Sequence, residues 1–294
     1  MHSRRYLYFF VPIFIMLCAS FLLPYVQEER ERVLYTYDEE GKVDEAAPFS
    51  FSRTYWFGTD REGGDLFYKV IDGAKYTILI SFFVACMRVI IAVCFSFFIK
   101  KRKSIFESLR FFPQTLFCLL FLSPFIIYEV RTKPIVSNVE VLCIQLIVFV
   151  VIAVPGLTRF FQTEVEQLWR KEYVQSAFVL GGSKWHVFRT HIIKGVWPKM
   201  MFQIGEQMVQ VLLLMLHLAL FKIFLGGTKI VSGQVHDQYN VYSPYVTDWA
   251  NLISYYYIEL MIEPRIVMVP VLFYMILLFC MTKAVEGYKK EDCN

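Results

Sequence analysis

Along the chain, apolar residues gather into six long, nearly uncharged runs, at 6–26, 76–99, 111–128, 139–157, 201–225 and 266–281. Most reach or approach the ~20 residues that a helix needs to cross a bilayer. The last run is short and carries Pro270, which leaves its ends open. Six membrane spans are the expectation. Between them lie polar intervals at 27–75, 159–200 and 226–264, and a short tail follows at 284–294. The first opens with QEERERVLYTYDEEGKVDEAAP, a polar stretch predicted to be irregular. No repeat with a period of 20–50 residues and no low-complexity tract is visible.

The interval 159–200 has its own pattern. Thr163-Glu164 predicts a helix start, and EVEQLWRKEYVQSAFVL follows with good helical propensity. Gly181-Gly182-Ser183 then reads as a C-cap glycine followed by a new N-cap. A second amphipathic helix is predicted from Lys184. Its apolar members Trp185, Val187, Phe188, Ile192 and Ile193 are interleaved with His186, Arg189 and Lys194. Such a corner suits docking into another protein, or it lies flat on lipid. The pattern admits both.

Composition sharpens this picture. Of 294 residues, 56% are hydrophobic, with 29 Phe and 18 Tyr, more apolar surface than a soluble core of this size requires. The run after MHSRR is too long for the apolar region of a secretory signal, and a bulky Leu17 before Cys18 spoils a lipobox, so a retained first span is expected. With the N-terminus inside, 17 basic residues fall on the cytoplasmic side and 11 outside. That bias places both termini in the cytoplasm. All seven cysteines avoid the outer loops, which speaks against a disulfide framework, and there is no C-x-x-C metal pair. The net charge of +4 reflects the inner collars and implies no nucleic-acid partner.

Polar residues inside the spans are the candidates for function. The fifth run carries Gln203, Glu206, Gln207, Gln210 and His217, and positions 203, 207, 210, 214 and 217 share one helical face. Polar groups are costly against lipid, so this stripe should face protein or water. It forms either a translocation-path wall or interhelical glue. Arg88, near the middle of the second run, needs a carboxylate, carbonyls or a wet cavity. Path-facing and structural pairing are both open for it. Lys222 is expected to snorkel to the outer surface. His186 and His191 are five apart, off one face, so no metal pair is read there. No Ser/His/Asp or Cys/His arrangement and no phosphate-binding G-x-x-x-x-G-K-[ST] loop occurs. This points away from an enzyme and away from ATP binding by this chain.

The wet stretch WFGTDREGGDL at 56–66 precedes the second run. Gly58 and Gly63-Gly64 predict tight turns. Asp65 is a candidate cap for a short helix on the outer membrane surface. Its Phe67, Val70, Ile71 and Ala74 fall on one face. A calcium reading of Asp60, Glu62 and Asp65 lacks the EF-hand order and its twelfth-position Glu.

Phe57-Gly58-Thr59-Asp60, Gly63, Asp65 and Gly73-Ala74-Lys75 resemble a signature of oligopeptide/dipeptide-type ABC importer permeases, F-G-T-D-x-x-G-R-D-…-G-A-R. Gly64 stands where that signature has Arg. Residues 172–194 resemble the same family's EAA loop, E-Y-V-E-A-A-x-x-L-G-A-S-…-R-H-V-L-P. Pro244, then Thr247-Asp248-Trp249-Ala250-Asn251-Leu252 and Pro270, resemble its P-x-W-G-x-M-L segment and last span. The three matches run in order over roughly residues 55 to 287. Two departures stand out: Gln175 replaces the glutamate that names the loop, and Lys194 its closing proline. The outer segment 228–243 also looks longer than the family's.

The resemblance implies an all-α membrane protein of six transmembrane helices with the type I ABC importer permease fold and a cytoplasmic coupling-helix loop. Its parts would be an N-terminal span at 1–26, an extracytoplasmic loop at 27–75, a permease core at 76–283 and a tail at 284–294. It implies a second permease subunit, ATP-binding subunits holding ATP and Mg, an extracytoplasmic solute-binding protein and membrane lipid as partners. Glu172, Gln175, Ala177, Gly181, Ser183 and His191 would form the ATPase-coupling loop. Gly58, Thr59, Asp60, Gly63 and Asp65 would form the signature loop, and Arg88, Gln203, Gln207, Gln210 and His217 the path. A peptide-like or other small solute would be carried. The rival expectation is a non-transporting membrane sensor or assembly partner that keeps the fold.

Overall fold

The computed structural model describes residues 5–26, 31–37, 42–98, 113–131, 137–232 and 240–292. The predicted basic collar at 100–103 and Arg110 lies outside the described residues, as does 233–239 of the long outer segment. Most of the chain is helical, which is what lipid demands, because a helix satisfies its own backbone hydrogen bonds where no water can. A 3-10 turn, Arg5–Phe9, leads into α1, Phe10–Val26. Then come α2 at Leu66–Phe98, α3 at Gln114–Arg131 and α4 at Asn138–Trp169. Short α5, Glu172–Val179, and α6, Lys184–Val187, precede α7 at Ile193–Leu220. Short α8, Trp249–Tyr256, and long α9, Pro264–Asp292, complete the order.

Among the described residues, five helices are long and apolar enough to cross a membrane. They match the first, second, fourth, fifth and sixth apolar runs. The third run falls in the 18-residue α3, of which Gln114–Pro124 counts as a shorter apolar helix among the described residues. The outward faces carry exposed Phe14, Phe82, Ile90, Leu272, Met275 and Phe279, side chains suited to lipid.

α2 is the central post. Leu66, Val70, Ala74 and Ile78 bury one face of its outer half against Trp249, Leu252 and Ile266 in one large core. Its inner end enters a second core, where Val89 and Ala92 meet Phe161 and Val165 of α4 and Val187, Ile192 and Val196 near α7. The expected surface helix at 66–74 is therefore the first two turns of α2 itself, with Val70 and Ala74 buried and Phe67 and Ile71 half-buried. Likewise no helix starts at Thr163-Glu164. α4 runs unbroken to Trp169, because Phe161 and Val165 are buried through that point and hold the helical register.

Two antiparallel hairpins depart from the all-α expectation. Tyr35–Tyr37 pairs with Val43–Ala46, and Thr228–Ser232 with Asn240–Pro244. Neither is an alternating apolar strand; each is a ribbon in a loop between helices.

The wet stretch at 56–66 is a knot joining the N-terminal ends of α2 and α9 to α8. Gly63 takes φ +76°, and a Cβ there would sit 2.1 Å from the carbonyl oxygen of Val33. Only glycine fits. Asp60 accepts from the amides of Gly64 at 2.8 Å and Glu62 at 3.1 Å, and from the Tyr256 hydroxyl at 2.7 Å. The same carboxylate pairs with Lys69 on α2. Thr59 Oγ1 accepts from the Phe49 amide at 2.8 Å, and Asp65 caps α2 by accepting from the Phe67 amide at 2.9 Å. Tyr255 donates to Glu62, and Arg265 of α9 donates to the Pro48 carbonyl at 3.2 Å.

α8 is seated just as firmly. The Trp249 amide donates to Thr77 Oγ1 at 3.0 Å, and its indole donates to the Val70 carbonyl at 2.6 Å. Asn251 bridges to Leu225 and Val246. Lys222 does not reach for the outer surface. It takes φ +61° and donates to the Ser254 carbonyl of α8 at 2.6 Å and to its hydroxyl at 3.3 Å.

Two outcomes follow. Asp60→Ala leaves Lys69 without its partner and is expected to cost on the order of 3 kcal/mol, against about 1 for Tyr256→Phe, read by thermal unfolding in lipid nanodiscs. Asp248, the cap of α8, is fully buried, and burial pushes its carboxyl up to about 7 against the hydrogen bonds from Asn251 and Ala250. A raised carboxyl pKa favours the neutral folded form at low pH, so its contribution is intact below about pH 4 and lost as pH rises through about 7. Asp248→Asn keeps the cap's acceptor oxygen and removes the charge. It should gain stability over wild type as pH climbs from 4 to 8, and a constant difference across that range would refute the assignment.

Candidate functional site

α4 and α7, with Gln114 of α3, line a cavity of about 630 Å³. Gln203, Glu206, Gln207 and Gln210 of α7 line it, opposite Arg159 and Glu164 of α4. Three- and four-residue spacing on α7 places its four polar members on one face. Gln203 and Gln207 are buried and Gln210 is exposed. Leu214 is buried and His217 exposed, but neither lines this cavity. The stripe expected at 203–217 thus contributes its inner part to the cavity and not its outer end.

Behind this wall lies Arg88. It is fully enclosed, and Nε donates to the Phe149 carbonyl of α4 at 2.8 Å while Nη1 donates to Gln207 Oε1 of α7 at 3.1 Å. Gln207 Nε2 in turn donates to Gln210 Oε1 at 3.1 Å. No carboxylate meets the guanidinium among the described residues, and its Nη2 has no hydrogen-bond partner. A buried cation held only by a carbonyl and an amide keeps its positive field close behind the cavity wall.

Arg159, Glu164 and Gln114, which also lines the cavity, are the residues that sequence reasoning missed. The signal was available in part. Gly156, Arg159, Phe160, Thr163 and Glu164 recur at helical spacing along the wall. Reading Thr163-Glu164 as a helix start hid it.

The inner corner follows α4. The α5 helix ends at Val179, and Gly181 turns the chain at φ +88°. The Gly182 amide closes the helix end on the Ala177 carbonyl at 3.0 Å. Ser183 Oγ accepts from the His186 amide at 3.2 Å, the expected cap of α6. Instead of a separate second helix, α6 continues through a π-helical stretch, Phe188–Ile192, straight into α7. Such π turns recur at functional sites.

Buried Val174, Val187 and Ile192 root this corner in the second core. Its outer surface is apolar: Val179 and Leu180 are each 88% exposed and Trp185 69%. Glu172, Gln175, Gly181 and Ser183 are exposed or half-buried around them, with Ala177 and His191 half-buried and the His191 ring beside Tyr173. The signature residues Gly58, Thr59, Asp60, Gly63 and Asp65 come together at the opposite end, in the outer knot. Among the described residues no cluster of three or more His, Cys, Asp or Glu side chains is placed to hold a metal ion.

No protein-family model matches the chain. Over 160 residues it is 23% identical to the probable D,D-dipeptide transport system permease protein of Escherichia coli K12. The alignment takes in 52% of this chain and 49% of that relative, so the chain spans about half the length of the curated protein it matches. This distant homology to a transport permease, together with the five long apolar helices, supports a permease role in a multi-pass membrane protein.

Proposed function

We propose that the chain is a membrane-spanning permease subunit of an ATP-driven ABC importer for a peptide-like or other small solute. The observation that carries this reading is the polar cavity: four side chains of one apolar helix converge on about 630 Å³ of open space within a lipid-facing bundle. Bundle glue would consume those groups in pairs between helices, whereas Gln210 stays exposed. In this proposal α3 is the sixth span and both termini are cytoplasmic, in keeping with the basic bias of 17 against 11. Hydrolysis takes place on separate ATP-binding subunits, and a second permease subunit and an extracytoplasmic binding protein complete the complex.

The corner at 172–194 is the proposed contact with the ATPase. Its exposed Val179, Leu180 and Trp185 supply an apolar knob, and its buried Val174, Val187 and Ile192 carry displacement into α2, α4 and α7. A rigid push there would rock the helices around the cavity.

Two experiments test this. In a background lacking native cysteines, Gln210→Cys should react with a small polar thiol reagent, and nucleotide trapping of the ATPase should change the rate. Leu212→Cys lies ~200° around the helix at a fully buried position and should stay inert. Equal inertness in every state removes the path assignment. At the corner, no atom lies within 4 Å of a Cβ added to Gly181, so Gly181→Trp alters the surface and not the core. It should leave the chain inserted while abolishing ATPase pull-down; Gly181→Ala imposes the same backbone strain without the bulk and should bind better. An unchanged pull-down with Gly181→Trp places the contact elsewhere.

A further inference from the structure

The chain Arg88–Gln207–Gln210 has a direction imposed by chemistry. A guanidinium donates hydrogen bonds and cannot accept them, whereas a glutamine amide has an accepting end and a donating end. Arg88 Nη1 lies 3.1 Å from the Gln207 amide, so the oxygen of that amide has to face it. Its nitrogen then points at Gln210, also 3.1 Å away, and must meet an oxygen there. Gln210 is left with Oε1 held inward and Nε2 on the side where the residue is exposed and lines the cavity. Two freely rotatable amides have become a one-way relay.

We infer that Arg88 is a positioning residue that sets the polarity of the cavity wall, so that Gln210 offers N–H donors to a carbonyl-type acceptor on the solute. The cavity lining carries two acidic residues, Glu164 and Glu206 (the latter about one turn, ~6 Å, from Gln210), against one cation, Arg159, so it holds no excess positive charge to draw a free carboxylate, and a neutral amide or acyl oxygen suits the donors of Gln210. The spare donor of Arg88, Nη2, lies buried behind this wall and reinforces its positive character. That the acceptor belongs to a transported solute rests on the permease reading; the orientation of the amides does not.

Gln207→Glu is the informative variant. A carboxylate still accepts from Arg88 but cannot donate, so Gln210 has to turn its nitrogen inward and show its oxygen to the cavity. The wall is inverted with no change of shape. The full-length chain in lipid nanodiscs, labelled with 15N-glutamine, reports this directly, with the Gln210 side-chain signals identified by their loss in Gln210→Glu. In wild type the Gln210 NH2 protons should show water cross-peaks and shift on addition of N,N-dimethylacetamide, an acceptor without N–H, while those of Gln207 do neither. Gln207→Glu should abolish both responses at Gln210, and Arg88→Lys should retain them. If Gln207→Glu does not fold, Arg88→Met carries the same test, since water contact should then spread to the Gln207 amide. Equal water contact at both amides in wild type, no shift with N,N-dimethylacetamide, or an unchanged Gln210 in the variants overturns the inference. If the expected pattern appears while the thiol of the Gln210→Cys variant is insensitive to ATPase state, the transport reading falls and the wall polarity stands.

Discussion

A guanidinium in the middle of a lipid-facing bundle has to be solvated by the protein itself. Hydrocarbon offers Arg88 no hydrogen bonds, so three helices must converge on it. α2 supplies the cation, α4 the Phe149 carbonyl and α7 the Gln207 amide. That convergence is also what brings the polar face of α7 to the edge of a space bounded by α4. The cavity lies against α4 and α7, the two helices that supply Arg88's acceptors. Removing the arginine would therefore alter more than one contact: it would take away the reason for α7 to show glutamines rather than leucines at that level.

α2 also links two distant devices. At its outer end, Asp60, Lys69, Tyr255 and Tyr256 tie the signature knot to α8, and Trp249 locks α8 back onto α2 through Thr77 and Val70. At its inner end, Val89 and Ala92 pack in the core that also holds Val174, Val187 and Ile192 beneath the apolar corner. Arg88 lies next to that inner core. Under the proposed function, a push on this corner would reach the cavity through the side chains of that core. The π-helical stretch Phe188–Ile192 is where the connection from the corner into α7 departs from α-helical geometry.

Much of this was legible in the sequence. Apolar run length announced the spans because lipid imposes a length. Gly58, Gly63, Asp65, Gly181 and Ser183 announced turns and caps because those conformations admit few residue types. Helix continuity was not legible. Local signals at Thr163-Glu164, at Asp65–Ala74 and at Lys184 suggested separate helices, and tertiary burial of Phe161, Val70 and Ile192 made each one part of a span. Lys222 was misjudged for the same kind of reason: its acceptor, Ser254, lies 32 residues away, and no local pattern points to it. Arg88 and Gln207 are 119 residues apart. Each is conspicuous alone, but the sequence holds no sign that they meet.

The two faces of α7 show how one helix can be both wall and scaffold. Opposite the glutamines, Leu212 is buried, with Met215 at its flank, and the Tyr274 hydroxyl of α9 donates to the Leu212 carbonyl. That bond spends a polar hydroxyl on a backbone group whose ladder partner is already made, and it holds α9 against the dry face of α7. Of the three glutamines on the other face, Gln203 and Gln207 are buried, and Gln207 is spent on Arg88, so only the exposed Gln210 is left to shape the cavity without a role in that packing. In the proposed permease this divides the labour along one helix: Gln207 holds the packing through Arg88, and Gln210, one turn on, is the group left to meet a solute.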